Sequence, residues 1–425
     1  MDAQAAGPIT VDTPLGGDLT VHSMGGMEGL SQLFAYELDV LSPRADLEAT
    51  ELLGQTTTVH LQLTGEDDDA VRHWNGCITG FHYLGTGDDD MSRYRLTIRP
   101  WLWYLTRSAD CRIFQNLSIP DIVTKVFTDR GFTDFDPALT STYERREYVV
   151  QYRETDFDFV SRLMQREGIY YFFRHEDGKH TLVLADSPGA HEPTPGCEQL
   201  PYAPPDSHRD ATIEYVQKWQ TLEDFETGSF AHADYDFTRP PVRLYSARRA
   251  PGVDASSRLE VYDYPGGFES FEEGDTYAQL RLEQLRADAR EWSAESNARG
   301  LTVGATFELV DHPREDQNGD YLVVGARYWL RGHEPRSASD EDAAPFRCTL
   351  QMIEADLAFR APVGPRRPLV LGPQTATVVG PAGQEIWTDQ YGRVKVQFHW
   401  DREGQNDENS SCFVRVSQAW AGRGW

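Results

Sequence analysis

Apolar and polar residues alternate along most of this chain, and a period of two predicts strands. The runs "LTVHSMGG" (19–26), "SQLFAYELDVLS" (31–42), "TTVHLQLTG" (57–65), "RHWNGCITGFHYLG" (72–85) and "YRLTIRPWLWYL" (94–105) are separated by Gly, Pro and Asp clusters. Short strands at such spacing predict a barrel or sandwich. The pattern then changes. Ser118, with Asp121 three residues on, caps a predicted helix whose apolar stripe is Ile122, Val123, Val126 and Phe127, closed by Gly131. A second helix starts at Thr155, with Asp158 in the same relation, buries Phe159, Val160, Leu163 and Met164, and stops at Gly168. Ile169–Phe173 and Thr181–Leu184 form a hairpin around Asp177-Gly178.

Strand periodicity returns from about residue 211 to 360, in "ATFELVDH", "DYLVVGARYWLRG" and "PFRCTLQMIEADLAF". One long helix is predicted among them, near Asp275 to Ala298, on the helical spacing of Leu282, Leu285, Ala289 and Trp292. The Pro- and Gly-rich "APVGPRRPLVLGPQ" (361–374) reads as a linker. Beyond it Val394, Val396, Phe398 and Trp400 alternate with Arg393, Lys395, Gln397 and His399. With Phe413, Val414 and Val416 they predict a closing hairpin across a long polar loop. There is also an internal echo. "WNGCITGFHYLG", an acidic loop and "RYRLTIRPWLWYL" match in layout "YLVVGARYWLRG", an acidic loop and "FRCTLQMIEADLAF". The expected fold is mainly β, two related barrels with an α+β segment between them.

Composition narrows the function. A length of 425 residues exceeds one ordinary core, and 39% hydrophobic residues with 12% aromatic are globular. A net charge of −28 argues against nucleic acid as a partner, since nothing basic is available to neutralise a phosphate backbone. The start has no basic and then apolar region of the signal-peptide kind, and no apolar run reaches membrane-spanning length. Cys77, Cys111, Cys197, Cys348 and Cys412 are scattered without paired spacing, which predicts free thiols.

Candidate chemistry is sparse. Metalloprotease, nucleophile-elbow and phosphate-loop signatures are absent, and "MGGMEGL" falls one glycine short of a dinucleotide fingerprint. Asp67-Asp68-Asp69 and Asp88-Asp89-Asp90 read as solvated loop tips. His60, His73 and His82 lie in three early strand segments and read as ordinary strand residues, because a metal would also need a convergent second shell. Trp101 and Trp103 read as core or interface aromatics rather than a sugar platform. No catalytic residue, cofactor site or metal site is assigned, and a structural or interaction protein is expected rather than an enzyme.

Four stretches sharpen this: "GMEGLSQLFAYELDVLS" (26–42), "CRIFQNLSIPDIVTKVF" (111–127), "VQYRETDFDFVSRLMQREGIYYFFRHEDGKHTLVLAD" (150–186) and "SNARGLTVGATFELVDHPREDQNGDYLVVGARY" (296–328). In that order, followed by "DQYGRVKVQFHWDREG", they resemble the VgrG family, the spike proteins of bacterial type VI secretion systems. The resemblance implies a first hub β-barrel over 1–105, a mixed α+β segment over 106–210 and a second barrel over 211–360. A linker over 361–380 and the first part of an OB-fold over 381–425 follow. The OB-fold match is carried by Trp387, Tyr391, Gly392, Val394, Val396, Phe398, His399, Trp400 and Asp401. On that reading the chain stops inside the OB-fold and is a fragment, a designed truncation or the product of a disrupted gene. The family implies a homotrimer that caps the Hcp tube, contacts baseplate proteins, carries effector and adaptor proteins and punctures a target membrane transiently. It also implies synthesis in the cytoplasm and secretion through the apparatus without a signal peptide. A phage tail or tailocin hub, or a spike with a toxin domain past residue 425, are the alternatives.

Overall fold

The computed structural model describes residues 9–63, 70–87, 90–204, 213–251, 258–287, 289–332, 346–362 and 364–417. The chain divides into two compact units. One comprises Met1–Trp101, Asp134–Thr140 and Gly168–Val363; the other comprises Leu102–Thr133, Ser141–Glu167 and Gly364–Trp425. Asp67-Asp68-Asp69, Asp88 and Asp89 lie outside the described residues.

The chain opens with strands β1 (Ile9–Asp12), β2 (Thr20–Gly29), β3 (Ala35–Ser42), β4 (Thr56–Gln62), β5 (Val71–Thr86) and β6 (Ser92–Arg99). Pro100 cannot donate to a ladder, so β6 ends before it and Trp101–Arg107 coils into a 3-10 helix. Next come β7 (Ala109–Phe114), α1 (Ile119–Asp129), β8 (Phe135–Ala138), β9 (Val149–Thr155) and α2 (Asp156–Arg166). The hairpin β10 (Tyr170–Glu176) and β11 (Lys179–Ala185) follows, and then β12 (Gln199–Pro201). After β13 (Val216–Glu223) the chain runs through β14 (Ser229–Tyr235), β15 (Arg243–Arg249), β16 (Glu260–Asp263), α3 (Phe271–Leu285) and β17 (Arg290–Ser296). It closes with β18 (Thr306–Val310), β19 (Gly319–Arg331), β20 (Phe346–Glu354), β21 (Ala376–Val379) and β22 (Lys395–Phe398).

The first unit is built on one 12-stranded sheet in the order β1-β4-β5-β6-β3-β2-β19-β20-β17-β13, with β18 beside β19 and β12 beside β18. The internal echo is real at the level of topology. β2 to β6 lie in the order β4-β5-β6-β3-β2, and β13 and β17 to β20 lie in the order β18-β19-β20-β17-β13. Five strands taken in the same chain sequence therefore occupy the same places twice. The hairpin cores share a local device. The β5–β6 register slips between Ile78 and Gly80, and the β19–β20 register between Val323 and Gly325. A Cβ on Gly80 would stand 2.7 Å from Thr97 Oγ1, and one on Gly325 the same distance from Gln351 Oε1. At Gly80 the β-branched Thr97 fills the space a side chain would take, whereas at Gly325 it is the far end of the flexible Gln351 side chain. The path does not close into a barrel among the described residues. Instead the two repeats join edge to edge, through β2 against β19 from Gly29↔Gly325 to Ser23↔Arg331.

Between β13 and β17 the first unit carries a small sheet, β15-β14-β16, covered on one face by α3. Phe230, Ala278 and Leu282 form one apolar cluster there; Leu244, Phe268 and Tyr277 form another. Tyr235, Tyr245 and Tyr262 are exposed. The long helix expected over 275–298 is shorter and earlier. It ends at Leu285, and Trp292 belongs to β17, where Trp292, Ala294 and Ser296 are buried in alternation. Two of those three side chains are small, so the strand period is faint in the sequence.

In the second unit both capped helices form as expected. Asp121 N donates to Ser118 Oγ (3.3 Å), and Asp158 N donates to Thr155 Oγ1 (3.0 Å). Their predicted apolar stripes are buried, with Phe114 stacked on Phe159 at 5.4 Å between centroids. The closing hairpin is paired differently from the expectation. β22 runs antiparallel to β21, and its link to the second predicted strand is the single bridge Val394↔Val414. β21 is the β-branched "ATVV", hidden in a stretch read as linker. No helix of the described residues is long and apolar enough to cross a membrane.

Candidate functional site

The first unit has a buried polar junction where the two repeats meet. Glu28 lies on β2, Tyr36 on β3, Arg72 and Trp74 on β5, Tyr328 on β19 and His175 on β10. Gly26 explains part of the "MGGMEGL" run: a Cβ there would stand 2.4 Å from Tyr36 Cδ1, so the glycine admits the tyrosine ring. Tyr36 OH donates to Glu28 Oε1, and Tyr328 OH approaches Glu28 Oε2 at 3.5 Å. Burial pushes the Glu28 carboxyl up, against the opposing pull of Arg72 and the tyrosines. The Arg72 guanidinium lies between the Trp74 ring, at 4.2 Å, and the Tyr328 ring, at 4.5 Å. Arg72 Nη1 also donates to the carbonyls of Arg299 and Leu301, both at 2.8 Å. One side chain of the first repeat thus grips the backbone that leads into β18 of the second.

The β10–β11 hairpin is held to this junction by neutral histidines. Trp101 N donates to His180 Nε2 (2.9 Å), which leaves His180 Nδ1–H to donate to Asn75 Oδ1 (2.7 Å). His175 Nδ1 lies 3.1 Å from both the N and the O of Asn75, and its Nε2 faces Tyr36 OH (3.4 Å) and Glu28 (3.7 Å). Burial, aided by Arg72, holds His175 down at about 3; burial, aided by His175, does the same for His180. Phe34 closes the packing, stacked on Tyr36 at 4.8 Å and edge-on to Phe173 at 5.0 Å. Most polar atoms in this arrangement are turned inward onto other protein groups, while Arg72 Nε and Trp74 Nε1 are buried without a hydrogen-bond partner. Its geometry is that of a clamp between the two repeats.

The second unit has its own buried charge network. Asp156, at the start of α2, is fully buried and accepts from Ser108 Oγ (2.6 Å), Gln151 Nε2 (2.8 Å), Arg112 Nη2 (3.1 Å) and Arg130 Nε (2.7 Å). Burial works against its charge, but these donors prevail and hold the carboxyl low.

The residues singled out in the sequence separate. His60 and His73 are cross-strand partners on β4 and β5. His82 lies on β5 opposite Arg95 and does not join them. Trp101 is buried, and Trp103 packs beneath Arg107, whose Cζ is 4.4 Å from the ring. In the OB-like segment Phe398 and Trp400 stack at 4.9 Å, and Trp400 meets Tyr152 edge-on at 5.5 Å. His399 is exposed, and Asp401 Oδ1 accepts from the backbone of Glu403 and Gly404 (3.1 Å each). The five cysteines form no disulfide. Pattern reading missed Glu28, Arg72, His175 and Asp156. Their partners lie far away in sequence, so no local pattern marks them.

Residues 27–333 match the family model of the phage tail baseplate hub. Over its whole length the chain is 46% identical to the type VI secretion system spike protein VgrG1b of Pseudomonas aeruginosa, and it spans 56% of that protein. Among solved structures it is similar to the E. coli c3393 protein, a type VI secretion component likened to the T4 tail proteins gp27 and gp5. That match has a TM-score of 0.67 and 21% identity, over 95% of this chain and 92% of the other. A chain of the Francisella PdpA–VgrG complex matches with a TM-score of 0.57 and 9% identity, over 99% of this chain and 74% of that one. The chain belongs to the phage tail baseplate hub family, in its VgrG branch. It spans little more than half the length of the curated relative.

Proposed function

We propose that this chain is the hub portion of a type VI secretion spike. Three copies cap the Hcp tube, contact baseplate proteins, carry effector and adaptor proteins, and cross a target membrane transiently when the sheath contracts. The observation that carries this is the end-to-end match to VgrG1b at 46% identity. Its work on this reading is mechanical. Force passes through continuous hydrogen-bond ladders, and the β2–β19 seam with its Glu28, Arg72 and Tyr328 clamp makes the two repeats one stiff body. Leu369, Leu371 and Ile386 in the second unit are 78%, 95% and 84% exposed. A two-stranded sheet such as β21–β22 is marginal alone, so further strands or further copies of the chain supply its cover. The reading assigns the chain no catalytic step. It also implies that the protein is made in the cytoplasm and leaves through the apparatus.

The test is Hcp release into the medium by host cells lacking every other spike gene. Release should stop when this gene is deleted and return when it is restored. Release that persists without it would contradict the proposal and favour a phage-tail role, for which the hub family match over 27–333 speaks.

A further inference from the structure

His60 and His73 face each other across the β4–β5 ladder, and their Nδ1 atoms are 3.0 Å apart. Two nitrogens bound to one tetrahedral zinc, each at about 2.0–2.1 Å, stand roughly 3.3 Å apart. The pair is therefore within a few tenths of an ångström of ligating geometry before any cation is added. Asp177, at the turn of the β10–β11 hairpin, brings a carboxylate alongside them, its Oδ1 3.9 Å from His60 Nε2. One donor atom from each of His60, His73 and Asp177 lies within 4.8 Å of the others. The hairpin turn is tied down beside them, since Gly178 N donates to Thr58 Oγ1 (3.1 Å), two residues before His60. The other nitrogen of His60 is occupied in the way metal-bound imidazoles usually are: Nε2 is 3.1 Å from Asp12 Oδ2.

We propose that His60, His73 and Asp177 bind a zinc-class divalent cation, with Asp12 orienting His60 and a water completing the tetrahedron. Imidazole and carboxylate donors in this number suit zinc better than the hard, all-oxygen cations. Both histidines are half-buried, whereas Asp177 is exposed, so the cation enters from the solvent side and the carboxylate closes over it. The site would staple the tip of the β10–β11 hairpin to β4 and β5. It would restrain the same hairpin that His175 and His180 hold. This inference stands on residues of the first unit alone and holds whether or not the protein serves in a secretion spike.

The test uses the tag-free chain, stripped with a chelator and titrated with zinc chloride by calorimetry. Thermal unfolding is followed in parallel. The expected result is one zinc per chain and a higher unfolding midpoint with zinc. His73→Gln should abolish both effects, and Asp177→Asn should weaken binding. Asp12→Asn should lower affinity by about 10- to 100-fold, the usual cost of losing such a partner. Asp177 is exposed and its substitution cannot compromise folding, so that variant remains informative if His73→Gln misfolds. Cobalt in place of zinc should give the intense visible bands of a tetrahedral site, and these should vanish in His60→Gln. No heat and no thermal shift at millimolar zinc would overturn the assignment. So would undiminished binding in both Asp177→Asn and His73→Gln.

Discussion

Mild acid should loosen this protein through two particular histidines. His175 and His180 are held at about 3 in the folded chain by burial first and by neighbouring charge second, against an ordinary value of 6.5. Above pH 6.5 neither the folded nor the unfolded chain protonates them, and their contribution is fully present. Below 6.5 the unfolded chain takes up protons that the folded chain refuses, so stability falls steadily until about pH 3. Each unit of pH then costs about 1.4 kcal/mol per histidine, or roughly 4 kcal/mol for the pair between pH 6.5 and 5. Most carboxylates do not titrate in that window. Glu28 works the other way, because its raised pKa lets the folded chain take a proton first. The assay is urea unfolding across that range for the natural chain and for His180→Gln. Glutamine can accept from Trp101 N and donate to Asn75 Oδ1, keeping the two bonds that His180 makes. The variant should lose about 1.4 kcal/mol per pH unit from the slope. A slope identical in both proteins would refute the reasoning, since His180 would then have no part in the acid response.

Three further outcomes are expected. Asp156→Asn should cost roughly 3–5 kcal/mol in urea unfolding, because it leaves Arg112 and Arg130 buried or half-buried without their shared carboxylate; a loss below about 1 kcal/mol would show the network to be incidental. Arg72→Met should cost roughly 3–5 kcal/mol at neutral pH, and less in acid where Glu28 can protonate; a cost that does not change with pH would detach Arg72 from Glu28. Each copy carries −28, so trimer formation by this chain should strengthen as the Debye length shrinks from about 8 Å at physiological salt to about 3 Å at 1 M; light scattering that shows salt-independent association would contradict this.

Much of the fold was legible in the chain because local chemistry and global structure agree there. Ser118 and Thr155 cap helices, and Asp177-Gly178 turns a hairpin, as their spacing requires. The repeat was visible as layout, and Gly80 and Gly325 turn out to mark its shared bulge. What failed did so where the signal is carried by small or short elements. Ala294 and Ser296 give β17 almost no hydrophobic alternation, so Trp292 was read into the preceding helix. Ala376–Val379 is four residues in a proline-rich stretch, and the partner of β22 was therefore sought downstream. Closure was over-read too: strand spacing suggests a barrel but says nothing of which edges meet, and here β2 meets β19.

The buried polar residues were illegible for a different reason. Glu28, Arg72, His175 and Asp156 are satisfied by partners far away in sequence, such as Tyr328, Leu301, Asn75 and Arg112. No local pattern announces such a pairing. Yet Glu28, Asp156 and His175 all fall inside the stretches that carry the family resemblance, which were recognised before their roles were known. His60 and His73 read as ordinary strand residues in the sequence, since Asp12, 48 residues from His60, comes within 3.1 Å of its Nε2 only through the β1–β4 pairing.

The central claim is that this chain forms the base of a spike seated on a tube. Cryo-electron microscopy of the chain mixed with hexameric Hcp at high salt tests it most directly. The account predicts three copies on the end of each tube, with the first units arranged around the axis so that their paired repeats match the sixfold rim. Hcp tubes whose ends stay bare at every protein and salt concentration would contradict it.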